Sequence, residues 1–269
     1  MANITIGQYY PENSIIHKLD PRVKLMGTLV SIILLFQISN ILGYAVFTVF
    51  MFLVIKASKV PFMKLLKGVR GILFILLFSV VINIFMTKGE VIAQIWMLQI
   101  TKEGLIKAGY ISIRLVYLII CTSIMTLTTT PNDLADGLEK AFRFLKAVKF
   151  PVHEIAMIMS LALRFIPTLM EETEKITKAQ KARGADFDTG NILQKAKSLI
   201  PILIPLFISS LRRALDLATA MEARCYHGGN RTKMKPLKYE RRDVMGYASY
   251  VIVIFLVLGA DRMIMFFNI

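Results

Sequence analysis

The stretch Leu25–Ile55, LMGTLVSIILLFQISNILGYAVFTVFMFLVI, runs for 31 residues without an Asp, Glu, Lys, Arg or His. A helix needs about 20 residues to cross roughly 30 Å of hydrocarbon. The run is therefore long for one span and short for two. Its middle, Ser39-Asn40-Ile41-Leu42-Gly43, is a polar, turn-prone break. The reading is two short helices, about 24–39 and 41–57, joined by a tight turn. Packing in a bundle or local thinning of the bilayer accommodates such short helices.

Further charge-free runs lie on either side of that decision. Gly71 to Thr87 forms a third span, and the residues between Arg114 and Asp133 a fourth, whose helix starts near Glu103. A fifth lies between Asp243 and Asp261. A weaker run between Lys197 and Arg212 holds 14 residues, with Pro201 and Pro205 among them. That length suits a buried or half-immersed helix better than a full span.

Composition agrees with this pattern. Of 269 residues, 55% are apolar and 19% charged, yet the net charge is +15. A soluble domain usually carries about 45–50% apolar and about 25% charged residues. Disorder is excluded, because it needs low hydrophobicity. Two cysteines cannot form a disulfide scaffold for a chain this long.

Orientation follows from basic residues in short loops. Lys18, Arg22 and Lys24 precede the first span, and Lys56, Lys59, Lys64, Lys67 and Arg70 separate the second from the third without an acid among them. The turn between the first two spans is uncharged. The N-terminus, the second loop and residues 131–242 are thus expected on the cytoplasmic side of a bacterial plasma membrane, and the C-terminus outside. Residues 1–24 lack the apolar core of a signal peptide. The expected fold is an all-α, multi-pass integral membrane protein. It has about five transmembrane helices plus a cytoplasmic module of three helices, two of them long. The regions are 1–130, 131–242 and 243–269.

Residues 131–242 hold 20 of the 33 basic and 12 of the 18 acidic residues. Basic and acidic residues are mixed and no nucleic-acid motif accompanies them, so nucleic acid is not an expected partner. Leu134, Leu138, Phe142 and Leu145 mark a first helix starting at Pro131 and ending before Pro151. A second runs from about Val152 to Arg183. Its first half is apolar, its second half charged, and Glu171–Lys175 and Glu174–Lys178 stand in the favourable i,i+4 order. Pro167 lies where the two halves meet, a position that kinks helices. A third helix runs from about Asn191 to Arg224, with the apolar stretch Leu199 to Leu211.

The two long helices end alike, with Ala182-Arg183-Gly184 and Ala223-Arg224-Cys225. Taken singly, such an ending is a good helix stop: Arg complements the negative helix end and Gly provides a left-handed cap. Taken as a pair, the endings offer two guanidinium tips, each able to hold a carboxylate bidentately. Two such tips suit two related subunits of one partner. The second ending lacks its Gly, so Gly228 or Gly229 is expected to make the turn there.

These features resemble the transmembrane T component of energy-coupling factor (ECF) transporters, the EcfT family related to CbiQ. The stretch Tyr10 to Lys24, YPENSIIHKLDPRVK, is similar to the opening segment of that family. The order of four spans, a helical module and a last span is similar to its architecture. The two endings resemble its paired Ala-Arg-Gly motifs. Glu12, where the family often has Gly, and Cys225 are the departures. The resemblance implies a subunit of an ABC-type vitamin or micronutrient importer. It implies docking of Ala182, Arg183, Gly184, Ala223, Arg224 and Cys225 on two ABC ATPases. It further implies a substrate-capturing S component in the lipid bilayer, moved by ATP-driven closure of the ATPases. No enzyme activity and no cofactor are implied.

The residues agree by omission. The chain has no P-loop, no H-E-x-x-H and no G-x-S-x-G. His17, His153 and His227 lie far apart in sequence and suggest no metal site. Asp20 is expected to cap the first helix, with Pro21 at its first position. Arg114, about a third of the way along the fourth span, has two readings: snorkelling to the outer interface, or a functional intramembrane charge with a partner. Two alternatives remain for the whole chain: a T component dedicated to cobalt or nickel, and a membrane-embedded lipid-modifying enzyme. The enzyme would need carboxylates or histidines clustered at one depth, and the sequence shows no such cluster.

Overall fold

The computed structural model describes residues 9–95, 98–142, 144, 151–187, 191–226 and 237–267. Eight helices and one hairpin make up these residues: α1 (Pro21–Gln37), α2 (Ile41–Ser58), α3 (Phe62–Met86), β1 (Val91–Ile95), β2 (Leu98–Thr101), α4 (Lys102–Thr128), α5 (Pro131–Ala141), α6 (Val152–Ala182), α7 (Ile192–Ala223) and α8 (Arg241–Phe267). They divide into two compact units. One is Met1–Phe150 with Leu237–Ile269, the other Pro151–Pro236. In the first, α5 packs against α1. By length and composition, six described helices are apolar enough to cross a membrane: α2, α3, α4, α6, α7 and α8. At 17 residues, α1 is shorter than these.

Capping fixes α1 at the residue expected from sequence. The Asp20 carboxylate accepts from the Arg22 backbone N–H at 2.9 Å, and Pro21 occupies the first helical position, where its missing N–H costs nothing. Ile38, Ser39 and Asn40 separate α1 from α2, at the polar break. The core of this unit takes side chains from five helices, among them Leu35 of α1, Phe47 and Met51 of α2, Leu65 of α3, Ile124 of α4 and Val257 of α8. Elsewhere α3 is widely exposed, with Phe74 at 78% and Phe78 at 60%, as suits a helix bathed in lipid.

Helices α3 and α4 approach closely where glycine allows it. A Cβ on Gly104 would come within 3.0 Å of the Asn83 and Ile84 carbonyl oxygens. The connection between these helices is the antiparallel hairpin β1–β2, which pairs Gln94 with Gln99 and Ile95 with Leu98. Thr101 ties the hairpin to both helices: its hydroxyl donates to the Thr87 carbonyl at 2.8 Å and accepts from the Gly104 N–H at 3.1 Å.

The opening segment is fastened by polar groups rather than by regular structure. His17 Nε2 lies 2.9 Å from the Tyr10 carbonyl oxygen, which can only accept, so Nε2 carries the proton. Nδ1 then accepts from the Ser14 hydroxyl at 2.7 Å. Partial burial pushes the His17 pKa below its ordinary value. Lys24, read from sequence as a loop cation, is buried in the first turn of α1. Its ammonium donates to the His17 carbonyl (3.0 Å) and to the Thr128 carbonyl at the end of α4 (2.7 Å). A cation at a helix C-terminus satisfies a carbonyl that has no partner within its own helix. Asp243 holds both chain ends together, accepting from the N–H of Asp20 at 2.8 Å and of Glu240 at 2.7 Å.

Candidate functional site

The second unit is a pair of long helices, and the contacts between them run in opposite order. Tyr226 approaches Met157 (3.0 Å, Oη to Sδ), Arg213 pairs with Glu172, and Gln180 reaches the Pro201 carbonyl at 3.5 Å. Later residues of α7 thus meet earlier residues of α6, so the helices are antiparallel. Their ends point in opposite directions. Taking 1.5 Å of rise per residue, Arg183 and Arg224 are separated by on the order of 35 Å along the pair. The packing leaves a cleft of about 350 Å³ lined by Thr173, Thr177 and Leu203 among others.

Both ends are built by the same hydrogen bonds. At the end of α6 the Gly184 N–H donates to the Lys181 carbonyl (3.0 Å) and the Ala185 N–H to the Gln180 carbonyl (3.0 Å). At the end of α7 the Cys225 N–H donates to the Glu222 carbonyl (2.8 Å) and the Tyr226 N–H to the Met221 carbonyl (3.0 Å). This is the paired 5→2 and 6→1 pattern of a Schellman cap, with an arginine as the last half-helical residue each time. The left-handed residue is Gly184 at φ 87° and Cys225 at φ 56°. The expectation that Gly228 or Gly229 makes the second turn is therefore corrected: Cys225 makes it, accepting the strain that a Cβ brings in this region. Gly228 and Gly229 lie outside the described residues.

Ala182, Arg183, Gly184, Ala223, Arg224 and Cys225 are all exposed. Among the described residues no hydrogen bond or ion pair holds either guanidinium of the two tips. Two ion pairs engage other charges of the helix pair, and among the described residues none joins Glu171 to Lys175. Glu174 binds Lys178 at 2.8 Å within α6, the i,i+4 pair expected from sequence, and Arg213 binds Glu172 across the helices. Glu172 and Arg213 each lie eleven residues before the terminal arginine of their helix. The ion pair thus sits eleven residues from both tips, midway between the two ends of the antiparallel pair. Sequence analysis missed it, although a signal was present: Glu171-Glu172 and Arg212-Arg213 stand at the same 41-residue offset as the two arginine ends.

Arg114 finds partners inside the first unit. Its Nε donates to Tyr44 Oη at 3.2 Å and its Nη2 to the Ile38 carbonyl at 3.0 Å, with the Phe36 ring 5.5 Å away. Ile38 caps the C-terminus of α1. The guanidinium thereby ties the α1–α2 turn to α4 and gives a helix-end carbonyl the cation it favours. Among the described residues no group of three or more His, Cys, Asp or Glu side chains is placed to hold a metal ion.

Fold and site together define a multi-pass, almost wholly helical membrane protein with two like-built, exposed helix ends. The family model described as CbiQ, cobalt transport protein, matches residues 12–235. The chain is 53% identical over 246 residues to the energy-coupling factor transporter transmembrane protein EcfT of Ruminiclostridium cellulolyticum, covering 91% of this chain and 92% of that one. It is 51% identical over 257 residues to EcfT of Clostridium kluyveri (94% and 95% covered) and 44% identical over 255 residues to EcfT of Bacillus subtilis (94% and 96%). The chain belongs to this family, the transmembrane T components of energy-coupling factor transporters.

Proposed function

We propose that the chain is a non-catalytic coupling subunit that passes the motion of two ABC ATPases to a substrate-capturing membrane subunit. One observation supports this most: an antiparallel helix pair presents the same Schellman-capped arginine at each end. A pair of like tips on the order of 35 Å apart would serve two similar ATPases, each taking one guanidinium in a bidentate carboxylate contact. Residues 131–242 and the N-terminus then face the cytoplasm, where the ATPases work. The basic loops favour that orientation. The relatives' names place those proteins in energy-coupling factor transporters, and the same assembly is proposed for this chain.

Exposed apolar residues on the helix pair supply a surface for the substrate-capturing partner. Leu203, Phe207 and Leu215 are 57%, 71% and 61% exposed. A membrane partner's apolar helices can pack on such side chains in place of lipid. The relatives carry the general transporter name, which favours a T component shared among vitamin or micronutrient carriers. The cobalt-transport description of the family model supports the second reading, a chain dedicated to one metal. Purification from native membranes, with mass identification of the bound chains, separates the two: several different capturing subunits support sharing, and a single metal-uptake subunit supports dedication. Loss of ATPase co-purification and of uptake in an Arg183→Ala, Arg224→Ala double variant is the expected result for coupling. Normal uptake in that variant would sink the reading.

A further inference from the structure

The first unit contains a cavity of about 540 Å³ between α1, α2, α4, α8 and the turn Ile15–Leu19. Its size falls in the roughly 300–1,000 Å³ range of small-molecule sites. The walls are apolar and deep: Val23, Met51 and Ile124 line it at 0%, 3% and 6% exposure. The mouth is apolar and open, with Ile15, Leu53 and Met245 between 58% and 66% exposed. In a membrane-spanning bundle such a mouth opens into lipid rather than water, and an apolar cavity of this size attracts an apolar occupant.

The charged lining groups, Lys24 and Arg242, gather at one end, and the hydroxyls of Thr28, Ser31 and Ser249 along the walls donate to carbonyls of their own helices. Arg242 lines the cavity there and is paired with Glu240. Around this rim stand five cations, Lys18, Arg22, Lys24, Arg241 and Arg242, and three carboxylates, Asp20, Glu240 and Asp243; Asp20 pairs with Arg22 and Asp243 accepts from two backbone N–H groups, so the rim keeps a net positive charge. Thr128, the last residue of α4, lines the same region at 2% exposure, and its Oγ1 has no hydrogen-bond partner. A buried hydroxyl left unsatisfied calls for an acceptor from outside the chain. An apolar trench with cations at its rim and an unpaired hydroxyl in its wall has the features a phospholipid needs for acyl chain, phosphate and glycerol ester. A net positive rim selects an anionic headgroup.

We propose that this cavity binds one anionic phospholipid, with an acyl chain along Val23, Met51 and Ile124, an ester oxygen at Thr128 and the phosphate at Arg242. The lipid fastens α8 to α1, α2 and α4 at the basic end of the bundle. The inference is independent of the coupling role proposed above.

The test uses the full chain, purified in detergent, delipidated, and titrated with phosphatidylglycerol or phosphatidylcholine while thermal unfolding is followed. Phosphatidylglycerol is expected to raise the midpoint several degrees more than phosphatidylcholine. Ala57→Phe, which fills the cavity from α2, should abolish that difference, and Arg242→Gln should weaken phosphatidylglycerol binding about tenfold. Equal responses to the two lipids in the unaltered chain, or an undiminished difference in Ala57→Phe, would overturn the proposal. Should Ala57→Phe not fold, phosphatidylglycerol with a photoreactive group on its acyl chain answers the question in the unaltered chain. Adducts at Leu53, Met125 or Met245 support the site, and adducts confined to the exposed face of α3 refute it.

Discussion

The two ends of the helix pair perform the same turn with different residues. At 181–185 the left-handed position is Gly184, which adopts positive φ without steric cost, and nothing lies within 4 Å of where its Cβ would be. At 222–226 the same position is Cys225, whose Cβ makes that conformation costly by about 1–2 kcal/mol. Yet the hydrogen bonds agree and each arginine is left exposed. What the two ends share is therefore the placement of a guanidinium beyond a closed helix end. The glycine is one means to that placement, and hydrogen bonds to the last carbonyls of α7 hold it equally well without one.

Changes at the two ends break or sharpen this comparison to different degrees. The largest effect is expected from Arg183→Ala with Arg224→Ala: uptake falls at least tenfold in a transport assay, while the thermal midpoint stays within about 2 °C, because neither guanidinium has a partner within the described residues. Next come the single variants, each lowering uptake several-fold; a large loss at one end only would show that the ends are not equivalent. Arg→Lys at either end should recover part of the loss, since an ammonium keeps the charge but lacks the planar fork. Full recovery would leave only a charge requirement. The smallest effects concern the caps. Gly184→Ala should fray α6 by about 1–2 kcal/mol, the cost of the backbone alone, read as faster amide exchange at Gly184 and Ala185. Cys225→Gly should slow exchange at Tyr226 by about 1 kcal/mol or less, because glycine's freedom in the unfolded chain offsets part of the relief.

Much of the membrane unit was legible because lipid excludes charge. The runs from Leu25 to Ile55 and from Gly71 to Thr87 mark helices whatever they pack against, and Asp20-Pro21 marks the start of α1 by local chemistry. What escaped the sequence was set by distant partners. Lys24 reads as a loop cation until the Thr128 carbonyl, 104 residues away, is seen beside it. Arg114 has two readings until the Ile38 carbonyl and Tyr44 are found at its guanidinium. The hairpin at Val91–Thr101 is too short for its alternation to stand out. Of the candidate region, the two like endings were legible as a repeated pattern, and the structure leaves both exposed. The geometry of the Cys225 turn was not legible, because cysteine carries no turn signal. The antiparallel sense of α6 and α7 depends on contacts such as Tyr226 with Met157, although the offset acidic and basic pairs foreshadowed the Glu172–Arg213 bridge.

Cysteine chemistry offers the most direct test of the central claim, that the tips are docking points. The chain has two cysteines, Cys121 buried at 7% exposure and Cys225 exposed beside Arg224. Maleimide labelling of Cys225 in membranes, with and without the two ATPases, therefore reports on one tip alone. The account predicts that the ATPases slow labelling at least tenfold and that Arg224→Ala restores the rate. Equal labelling in the presence and absence of the ATPases would contradict it.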